Sequence, residues 1–371
     1  MRTEVLCEWA AIEGLRPEWN ALLRASRADT VFLTWEWVAA WREAAGRFAS
    51  PFVVAVRDAA GALVGLAPLY RAGFRLFGLL PYRGLRVLGD QDSGAEYGDF
   101  LAAASVEDEV ARALAAGLAG SADAWDLLWM PNVPGWTGAY PRVAESGVAA
   151  GLAVRSRQRD FSAAHLPEDP PAFMKALSGN ARSALGRQSR HVFEGSAVVF
   201  EQCRAGATLP AFLHALFELN HRRWTAVGQS GTFVRKPLER RFYEAFAPRA
   251  LERGWLRLFA LRSGDRFLAV QLGYAYRGTF FQLQEGFDPG AARGVGNVLR
   301  WKVIECCIEE GLRVYDFLGE HTEHKRRWLA ERRVGYDLLL RRRTPMTVAA
   351  AMFWPSGRYL RPTAIPVGPR T

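Results

Sequence analysis

The sequence predicts an α/β (α+β) fold with two tandem domains, each a mixed, mostly antiparallel sheet flanked by helices. The chain of 371 residues, half of them hydrophobic, is too long for one simple core. Its first half is patterned as β-α-α-β-β-β-α-β, and its second half contains the order β-β-loop-α-β. We therefore predict a first domain at 1–160, a second domain at 161–343, and a tail at 344–371 that is loosely docked or disordered.

The elements of the first domain follow from local patterns. Two strand-like runs, Phe52–Arg57 and Leu63–Tyr70, flank an Asp-Ala-Ala-Gly turn and predict a hairpin. An apolar stripe at i, i+4 spacing predicts a helix over Val106–Leu118. The other predicted elements are strands at Glu4–Ala10, Leu85–Leu88, Tyr97–Leu101 and Trp125–Met130, and helices at Trp19–Ala25 and Trp35–Ala45.

The second domain begins after a predicted linker, Phe161–Pro171, which is rich in Asp, Pro and Glu. At its centre the pattern is a hairpin, a glycine-rich loop, a helix that Gly311 ends, and a strand at Val314–Leu318. The other predicted elements are helices at Ala172–Val192 and Ala211–Trp224, and strands at Leu256–Arg262, Phe267–Tyr276, Thr279–Gln284 and Gly335–Arg342.

The glycine-rich loop, Gln284–Asn297, is the most informative segment. Backbone N–H groups at a helix start lack intrahelical partners and the helix dipole favours negative charge, so the loop predicts a phosphate or pyrophosphate site. Gly294 and Gly296 would let a ligand approach the backbone. The segment has neither the ending of a Walker loop nor dinucleotide-loop spacing, and an ordinary turn before a buried helix is the alternative. The corresponding segment of the first domain, Leu88–Gly94, is acidic and is expected to bind no coenzyme.

The order β-β-loop-α-β resembles the core of the GNAT acyltransferase fold, in which this loop holds the pyrophosphate of acyl-coenzyme A. The segment Asp316–Glu320, followed by Lys325–Trp328, is similar to a motif of the CelD-like branch, which is linked to bacterial cellulose and exopolysaccharide biosynthesis. The chain also resembles the Fem-type aminoacyltransferases, which build peptidoglycan cross-bridges. Further matches are Phe32–Trp37 with Trp41, Leu177–Arg182 with Arg187 and Arg190, and His221–Trp224 with Gly231–Phe233. One departure is His324, where the family usually has tyrosine.

The resemblance implies direct attack of an amine on a thioester. The predicted coenzyme-binding residues are Arg293, through its side chain, and Gly294, Val295, Gly296 and Asn297, through backbone N–H groups. The candidates for the general base are carboxylates at strand ends, Glu320, Asp316 and Glu285. A buried structural carboxylate is the alternative for Asp316. The residues predicted to bind the acceptor are Lys325, Trp328, Asp90, Tyr97 and Asp99, with ordinary loop polarity as the alternative for the last three.

Composition limits the remaining possibilities. The net charge of +10, mostly from arginine, is typical of a GC-rich genome and also favours an anionic ligand such as coenzyme A. A nucleic-acid partner is not favoured, because no basic motif is interleaved with aromatic residues. The four cysteines lack metal-ligand spacing and indicate free thiols in a reducing compartment. The apolar runs are shorter than the roughly 18 residues of a membrane span, and we expect a cytoplasmic protein without a metal.

The leading hypothesis is an N- or O-acyltransferase that uses acetyl-CoA or another acyl-CoA and a small-molecule or sugar-type acceptor, in polysaccharide biosynthesis. The acceptor would lie in a cleft between the halves. One alternative is a Fem-type transferase that uses aminoacyl-tRNA, although no heptad run predicts a coiled-coil arm. Another is a non-catalytic GNAT fold that binds a sugar nucleotide. The sequence leaves the acceptor, the acyl chain and the oligomeric state open.

Overall fold

The computed structural model describes residues 1–137, 139–194, 197–354 and 359–363. The chain divides into two compact units: unit 1 is Met1–Arg159 with Val334–Thr371, and unit 2 is Asp160–Arg333. The predicted fold class is confirmed, because helices flank a mixed, mostly antiparallel sheet in each unit. The four cysteines are free thiols. In the described part of the chain, no helix is long and apolar enough to cross a membrane.

Helices and strands both occur along the whole described chain. The α-helices are α1 (Trp9–Glu13), α2 (Arg16–Ala25), α3 (Trp35–Ala45), α4 (Glu107–Gly120), α5 (Ala139–Ala149), α6 (Pro170–Ala176), α7 (Gly179–Phe193), α8 (Leu209–Thr225), α9 (Thr232–Arg235), α10 (Pro237–Glu252), α11 (Val295–Glu309), α12 (Glu323–Arg326) and α13 (Pro345–Phe353). The β-strands are β1 (Arg2–Leu6), β2 (Pro51–Arg57), β3 (Leu63–Leu76), β4 (Leu80–Val87), β5 (Leu101–Ala102), β6 (Leu127–Pro134), β7 (Ala153–His165), β8 (Val198–Gln202), β9 (Leu256–Ser263), β10 (Arg266–Tyr276), β11 (Thr279–Phe287), β12 (Val314–Gly319), β13 (Glu331–Arg341) and β14 (Leu360–Pro362).

Unit 1 is built on the strand order β1-β2-β3-β4-β6-β13, and β5 and β14 also pair with β3. Its strands pair antiparallel except β4 and β6, which are parallel and share only Gly84↔Leu127 and Leu85↔Leu128. A parallel pair needs a crossover, which includes α4 here. The predicted stripe of α4 is confirmed as buried, and Trp37 and Trp41 of α3 are also fully buried.

Unit 2 has the strand order β7-β12-β11-β10-β9-β8, to which β7 contributes residues 161–165. Again one neighbouring pair is parallel, β11 with β12, and the others are antiparallel. Helix α11 makes the crossover, and buries an apolar face that includes Val298, Val303 and Cys307 in the core of the unit. Helix α7 packs on α11, and α8 packs on β10 and β11.

Two predicted boundaries at the start of unit 2 are wrong. The segment Phe161–Pro171 is not a linker throughout, because its first residues, Phe161–His165, are the end of β7 and pair with β12. The Pro and acidic residues that suggested a linker begin only after this apolar run. The helix predicted at Ala172–Val192 is broken at Ser178, whose hydroxyl accepts a hydrogen bond from the N–H of Ala181 (3.2 Å) and starts α7 as its N-cap.

The C-terminal elements also differ from the expectation. The strand predicted at Gly335–Arg342 to close the second sheet pairs with β6 in unit 1. The predicted tail contains α13, which a capping box at Thr344 starts, and β14, which pairs with β3. Ala350, Ala351 and Trp354 are buried, so this part of the tail packs on unit 1. The rest of the predicted tail, 355–358 and 364–371, lies outside the described residues.

Candidate functional site

The loop of residues 288–294, between β11 and α11, forms one wall of the candidate site. Asp288 organises the loop by accepting a hydrogen bond from the N–H of Gly290 (2.9 Å) and by pairing with Arg266. Gly294 has a left-handed backbone with φ of 89°, and a Cβ there would come within 2.4 Å of Gln188. Only glycine therefore fits where the loop turns into the helix.

Several backbone N–H groups of this loop are available to an anion. The N–H groups of Val295 and Asn297 already donate to the carbonyls of Ala292 (3.1 Å) and Gly294 (2.9 Å), so these two predicted donors are occupied. Four other N–H groups of the loop and the helix start have no hydrogen-bond partner among the described residues. They are those of Ala292, Arg293, Gly294 and Gly296. Unpaired N–H groups at the start of a 15-residue helix are a favourable environment for a phosphate.

Next to the loop, strands β11 and β12 cease to pair. Their parallel ladder has only three residue pairs and ends at Phe281↔Asp316. Beyond it a cavity of about 1000 Å³ lies between Gln282–Phe287 on one side and the end of β12 on the other. Leu283 has no partner on β10, because the register passes from Gln282↔Gly273 to Gln284↔Leu272. A bulge of this kind next to a cavity re-aims backbone groups away from the sheet ladder.

Two arginines share one carboxylate in the wall of the cavity. Glu285 pairs with Arg223 of α8 (2.9 Å) and with Arg300 of α11, and also accepts a hydrogen bond from Gln282 (3.2 Å). Burial acts to raise the pKa of Glu285, but the charges of Arg300 and Arg223 outweigh it and hold the pKa below its usual range. Glu285 is therefore an ionised partner of the arginines and a poor general base, contrary to the predicted role.

His324 contacts the same cluster. Its Nε2 lies 3.2 Å from Nη1 of Arg300, and a guanidinium can only donate, so Nε2 accepts and the ring proton lies on Nδ1. Desolvation, and then the charge of Arg300, lowers the pKa of His324. The imidazole is therefore neutral at pH 7. Its Nδ1–H has no partner among the described residues and is a hydrogen-bond donor for a ligand.

Lys325 lies at the β12 side of the gap. Its ammonium donates to the backbone carbonyls of Phe317 (2.8 Å), Gly319 and Glu320 (3.0 Å). These carbonyls follow the point at which β12 loses β11 as a partner. The predicted pairing of Lys325 with an anionic acceptor thus competes with a structural role that already uses its three N–H donors.

The two remaining base candidates have different environments. Asp316 is buried and accepts a hydrogen bond from the N–H of Leu318 (2.8 Å), and its other oxygen lies 3.6 Å from Arg333. This is the structural alternative that the sequence left open for Asp316. Glu320 is exposed and lines the cavity. Its backbone is left-handed (φ 67°), and its N–H donates a hydrogen bond to the carbonyl of Asp160 (2.7 Å). Of the three predicted carboxylates, Glu320 is the exposed one, whereas Glu285 lines the cavity but is already paired with two arginines.

The three acceptor-binding candidates of unit 1 are buried or nearly buried. Asp90 pairs with Arg86 (2.8 Å), and Tyr97 is packed between aromatic rings. Asp99 accepts hydrogen bonds from the N–H of Phe100 and the hydroxyl of Thr137, both at 2.7 Å. Burial raises the pKa of Asp99 to about 7. Each of the three side chains has a partner within unit 1. This arrangement is compatible with the alternative from the sequence, in which they are ordinary polar residues of loops and bind no acceptor.

Trp328 is buried beneath the guanidinium of Arg300 and lines a second cavity of about 470 Å³ beside α7. Both cavities include Asn297, whose side-chain amide donates to Gln188 of α7 (3.2 Å), and His324. Arg223 and Arg300 were not predicted as site residues from the sequence. The sequence contains a feature that could have identified Arg300, because it is a single arginine within the apolar face of α11. The described residues contain no group of three or more metal-ligating side chains.

Comparisons with known proteins agree with this geometry. Residues 179–326, less than half of the chain, match the family model described as an acetyltransferase (GNAT) domain. The chain resembles a crystal structure of FemX, with 13% identity, a TM-score of 0.61, and coverage of 91% of this chain and 97% of that one. It also resembles a conserved protein of unknown function from Bacteroides thetaiotaomicron (10% identity, TM-score 0.54, coverage 88% and 97%) and L-PGS from Bacillus licheniformis (12%, 0.50, 85% and 94%). At these identities the likeness shows the fold alone. No curated protein matches the sequence significantly.

Proposed function

We propose that this protein is an acyltransferase that moves an acyl group from acetyl-CoA or another acyl-CoA to an amine or hydroxyl of a small-molecule or sugar-type acceptor. The observation that carries the proposal is the cavity of about 1000 Å³ between the separated ends of β11 and β12, bordered by a loop with unpaired N–H groups. A pyrophosphate fits the loop. The thioester-bearing arm of the coenzyme fits the gap, where β11 and β12 no longer pair with each other and their backbone groups can bond to the amides of that arm. The match to a GNAT domain supports this pairing of ligand and site.

In the proposed reaction, the acceptor nitrogen attacks the thioester carbon, the C–N bond forms and the C–S bond breaks. Glu320 accepts the proton that the acceptor ammonium must lose before its nitrogen can attack, and the departing thiolate takes up the second proton, which the nitrogen loses as the amide forms. A backbone N–H at the Leu283 bulge stabilises the developing oxyanion. Neutral His324 donates from Nδ1 to the bound thioester or acceptor. Arg293, and the excess positive charge of Arg223 and Arg300 over Glu285, favour the phosphates.

The first experiment is a thermal-shift titration of the whole chain with coenzyme A, acetyl-CoA and longer acyl-CoAs. Binding to the folded state alone raises the free energy of unfolding by about 2.7 kcal/mol when the ligand exceeds its Kd a hundredfold. Pantetheine, which lacks the nucleotide phosphates, is the control and should shift the midpoint far less. If millimolar acyl-CoA produces no shift, the proposal fails.

The Fem-type reaction is the second candidate, and the likeness to FemX favours it. An aminoacyl-tRNA also presents phosphates and an activated carbonyl, which the same cavity wall would accept. A thermal shift with aminoacyl-tRNA but not with acyl-CoA would select this candidate. With the first candidate, the acyl-CoA-dependent transferase, we also propose a role in exopolysaccharide biosynthesis, a CelD-like relationship and a cytoplasmic location. Acetylation assays against amino sugars are the test of the acceptor class.

A further inference from the structure

A hydrophobic surface lies at the tip of the β3–β4 hairpin in unit 1, far along the sequence from the residues of the candidate site. Leu79 is 77% exposed, and Phe77 and Leu80 are each 51% exposed. Large apolar side chains of a soluble protein are exposed singly as a rule, and a contiguous group indicates a binding surface. The hairpin surface, as we call it, consists of Phe77, Leu79, Leu80, Met352, Phe353 and Tyr359, all of which are exposed.

The aromatic members of the hairpin surface touch one another. The ring of Phe77 lies 4.8 Å from that of Phe353 and 5.3 Å from that of Tyr359, and the latter two are 5.9 Å apart. Met352 precedes Phe353 at the end of α13. The three aromatic rings thus form one cluster that joins the hairpin to the C-terminal elements of unit 1, and Leu79, Leu80 and Met352 are their exposed neighbours in sequence.

The turn holds Phe77 outward at a cost. Phe77 and Gly78 both have positive φ, 54° and 76°, and the N–H of Leu79 donates to the carbonyl of Leu76 (3.1 Å). This is a type I′ turn, whose first central position favours Asn, Asp or Gly. A left-handed backbone is unfavourable for a residue with a Cβ such as phenylalanine. A strained position that presents an exposed aromatic ring is typical of a binding surface.

An arginine pair lies beside the hairpin surface. Strand β14 pairs with β3 so that Arg361 is directly opposite Arg75. Residues opposite each other in an antiparallel pair share a face, so the two arginines place positive charge side by side next to the hairpin surface. A cavity of about 490 Å³ lies against both arginines, Thr363 and the rings of Phe77 and Tyr359. None of the described residues that line it is acidic.

We propose that the hairpin surface and the arginine pair dock unit 1 onto an anionic lipid bilayer. The apolar tip would enter the interface between headgroups and acyl chains, and Arg75 with Arg361 would bind lipid phosphates. A basic residue near an anionic bilayer is attracted to it, and each apolar side chain that enters the interface adds its own transfer free energy. The net charge of +10 favours the same surface. A second copy of the chain is a poorer partner, because a symmetric contact would bring two arginine pairs together.

The test is co-sedimentation of the full chain with vesicles of phosphatidylcholine alone or mixed with phosphatidylglycerol. We expect binding only to the anionic vesicles, weakened by salt. Phe77→Asn suits the left-handed turn position and removes the ring, and with Leu79→Ser it should weaken binding at least tenfold. Arg75→Glu should abolish the preference for anionic lipid. The matched controls are Val199→Ser, at another exposed apolar residue, and Arg112→Glu, at an exposed arginine of α4, and both should bind as the parent does.

Three results would overturn the proposal. One is equal sedimentation with neutral and anionic vesicles, or with the parent and the hairpin variants. Another is a dimer, measured by light scattering, that Leu79→Ser dissociates, which would assign the surface to a second copy. The third is saturable binding of inorganic phosphate that prevents sedimentation, which would make the arginine cavity a site for a soluble anion. Thermal unfolding of each variant verifies that it is folded.

Discussion

The two units contain the same local arrangement with opposite outcomes. In each, one parallel strand pair with a helical crossover stops pairing after two or three residues, at Leu85↔Leu128 in unit 1 and at Phe281↔Asp316 in unit 2. In unit 2 the gap opens into a cavity of about 1000 Å³. In unit 1 the chain fills the corresponding region with its own side chains.

The filling of unit 1 is specific. The indole of Trp37 donates to the carbonyl of Gly89 (3.1 Å), and that of Trp41 donates to Gln91 (3.0 Å). A Cβ on Gly89 would lie 2.7 Å from Trp37, so the indole packs directly on this loop. The N–H of Tyr97 donates to the carbonyl of Asn132 on β6 (2.9 Å). The sequence suggested repulsion by acidic residues as the difference between the loops, and the structure adds a steric one. Strand order alone therefore does not make a binding site.

The largest effect is expected from emptying unit 1. Trp37→Ala removes a completely buried indole and its hydrogen bond to the loop, and should lower the free energy of unfolding by about 3–5 kcal/mol. Coenzyme affinity of the folded molecules should not change, because unit 2 holds the proposed site. Urea unfolding and isothermal titration at low temperature measure the two quantities. A matching loss of affinity would place part of the coenzyme site in unit 1.

A change of similar size is expected from pH. The pKa of Asp99 is raised to about 7 in the folded state by burial, whereas an unfolded aspartate titrates near 4. Between these values the folded state holds a proton that the unfolded state has lost, so stability is full below pH 4 and falls as pH rises toward 7. At about 1.4 kcal/mol for each unit, the loss from this group is on the order of 4 kcal/mol.

Asp99→Asn is the variant that isolates this contribution. The asparagine amide oxygen can still accept the hydrogen bond from the N–H of Phe100, and its NH2 group can donate to the hydroxyl of Thr137. The variant should therefore keep both hydrogen bonds but lose no stability as the pH rises from 4 to 7. Urea unfolding at several pH values from 4 to 8 compares the variant with the parent. An unchanged slope in Asp99→Asn would mean that another group causes the pH dependence.

The comparison also shows which features a sequence can predict. The order of strand, glycine-rich loop and helix was predicted because turn chemistry and short-range patterns determine it, but β11 continues to Phe287, three residues past its predicted end at Gln284. Arg223 and Arg300 were missed as site residues because their meeting at Glu285 depends on the packing of α8 and α11, which are far apart in sequence. The strand at Phe161–His165 was missed for a related reason, since only its partner β12 identifies a short apolar run as a strand.

Closing the loop of unit 2 is the converse experiment. Gly296→Asp adds a carboxylate at the unpaired N–H groups, and its Cβ would lie 3.3 Å from the ring of Phe287. We expect coenzyme affinity to fall at least a hundredfold, about 2.7 kcal/mol, with a small change in stability. Gly179→Asp is the control, because it adds the same side chain at the start of α7, where a Cβ meets no atom within 4 Å. Equal affinity of Gly296→Asp and the parent would exclude the loop as the phosphate site.

The smallest of these effects should come from Lys325, and it separates two roles. If the ammonium mainly satisfies the carbonyls of Phe317, Gly319 and Glu320, Lys325→Ala should lower the free energy of unfolding by about 2 kcal/mol, since bonds to a charged donor contribute roughly 1.5–3 kcal/mol. Coenzyme affinity should fall as well, because the end of β12 would no longer be held away from β11. If Lys325 instead binds an anionic acceptor, stability and coenzyme affinity should be unchanged and only the KM for the acceptor should rise. Lys302→Ala is the control, because the ammonium of Lys302 pairs with the neighbouring Glu305 on the same helix, and such a pair contributes little. A gap that is open in unit 2 and filled in unit 1 requires something to hold it open, and only the first result would give that role to Lys325.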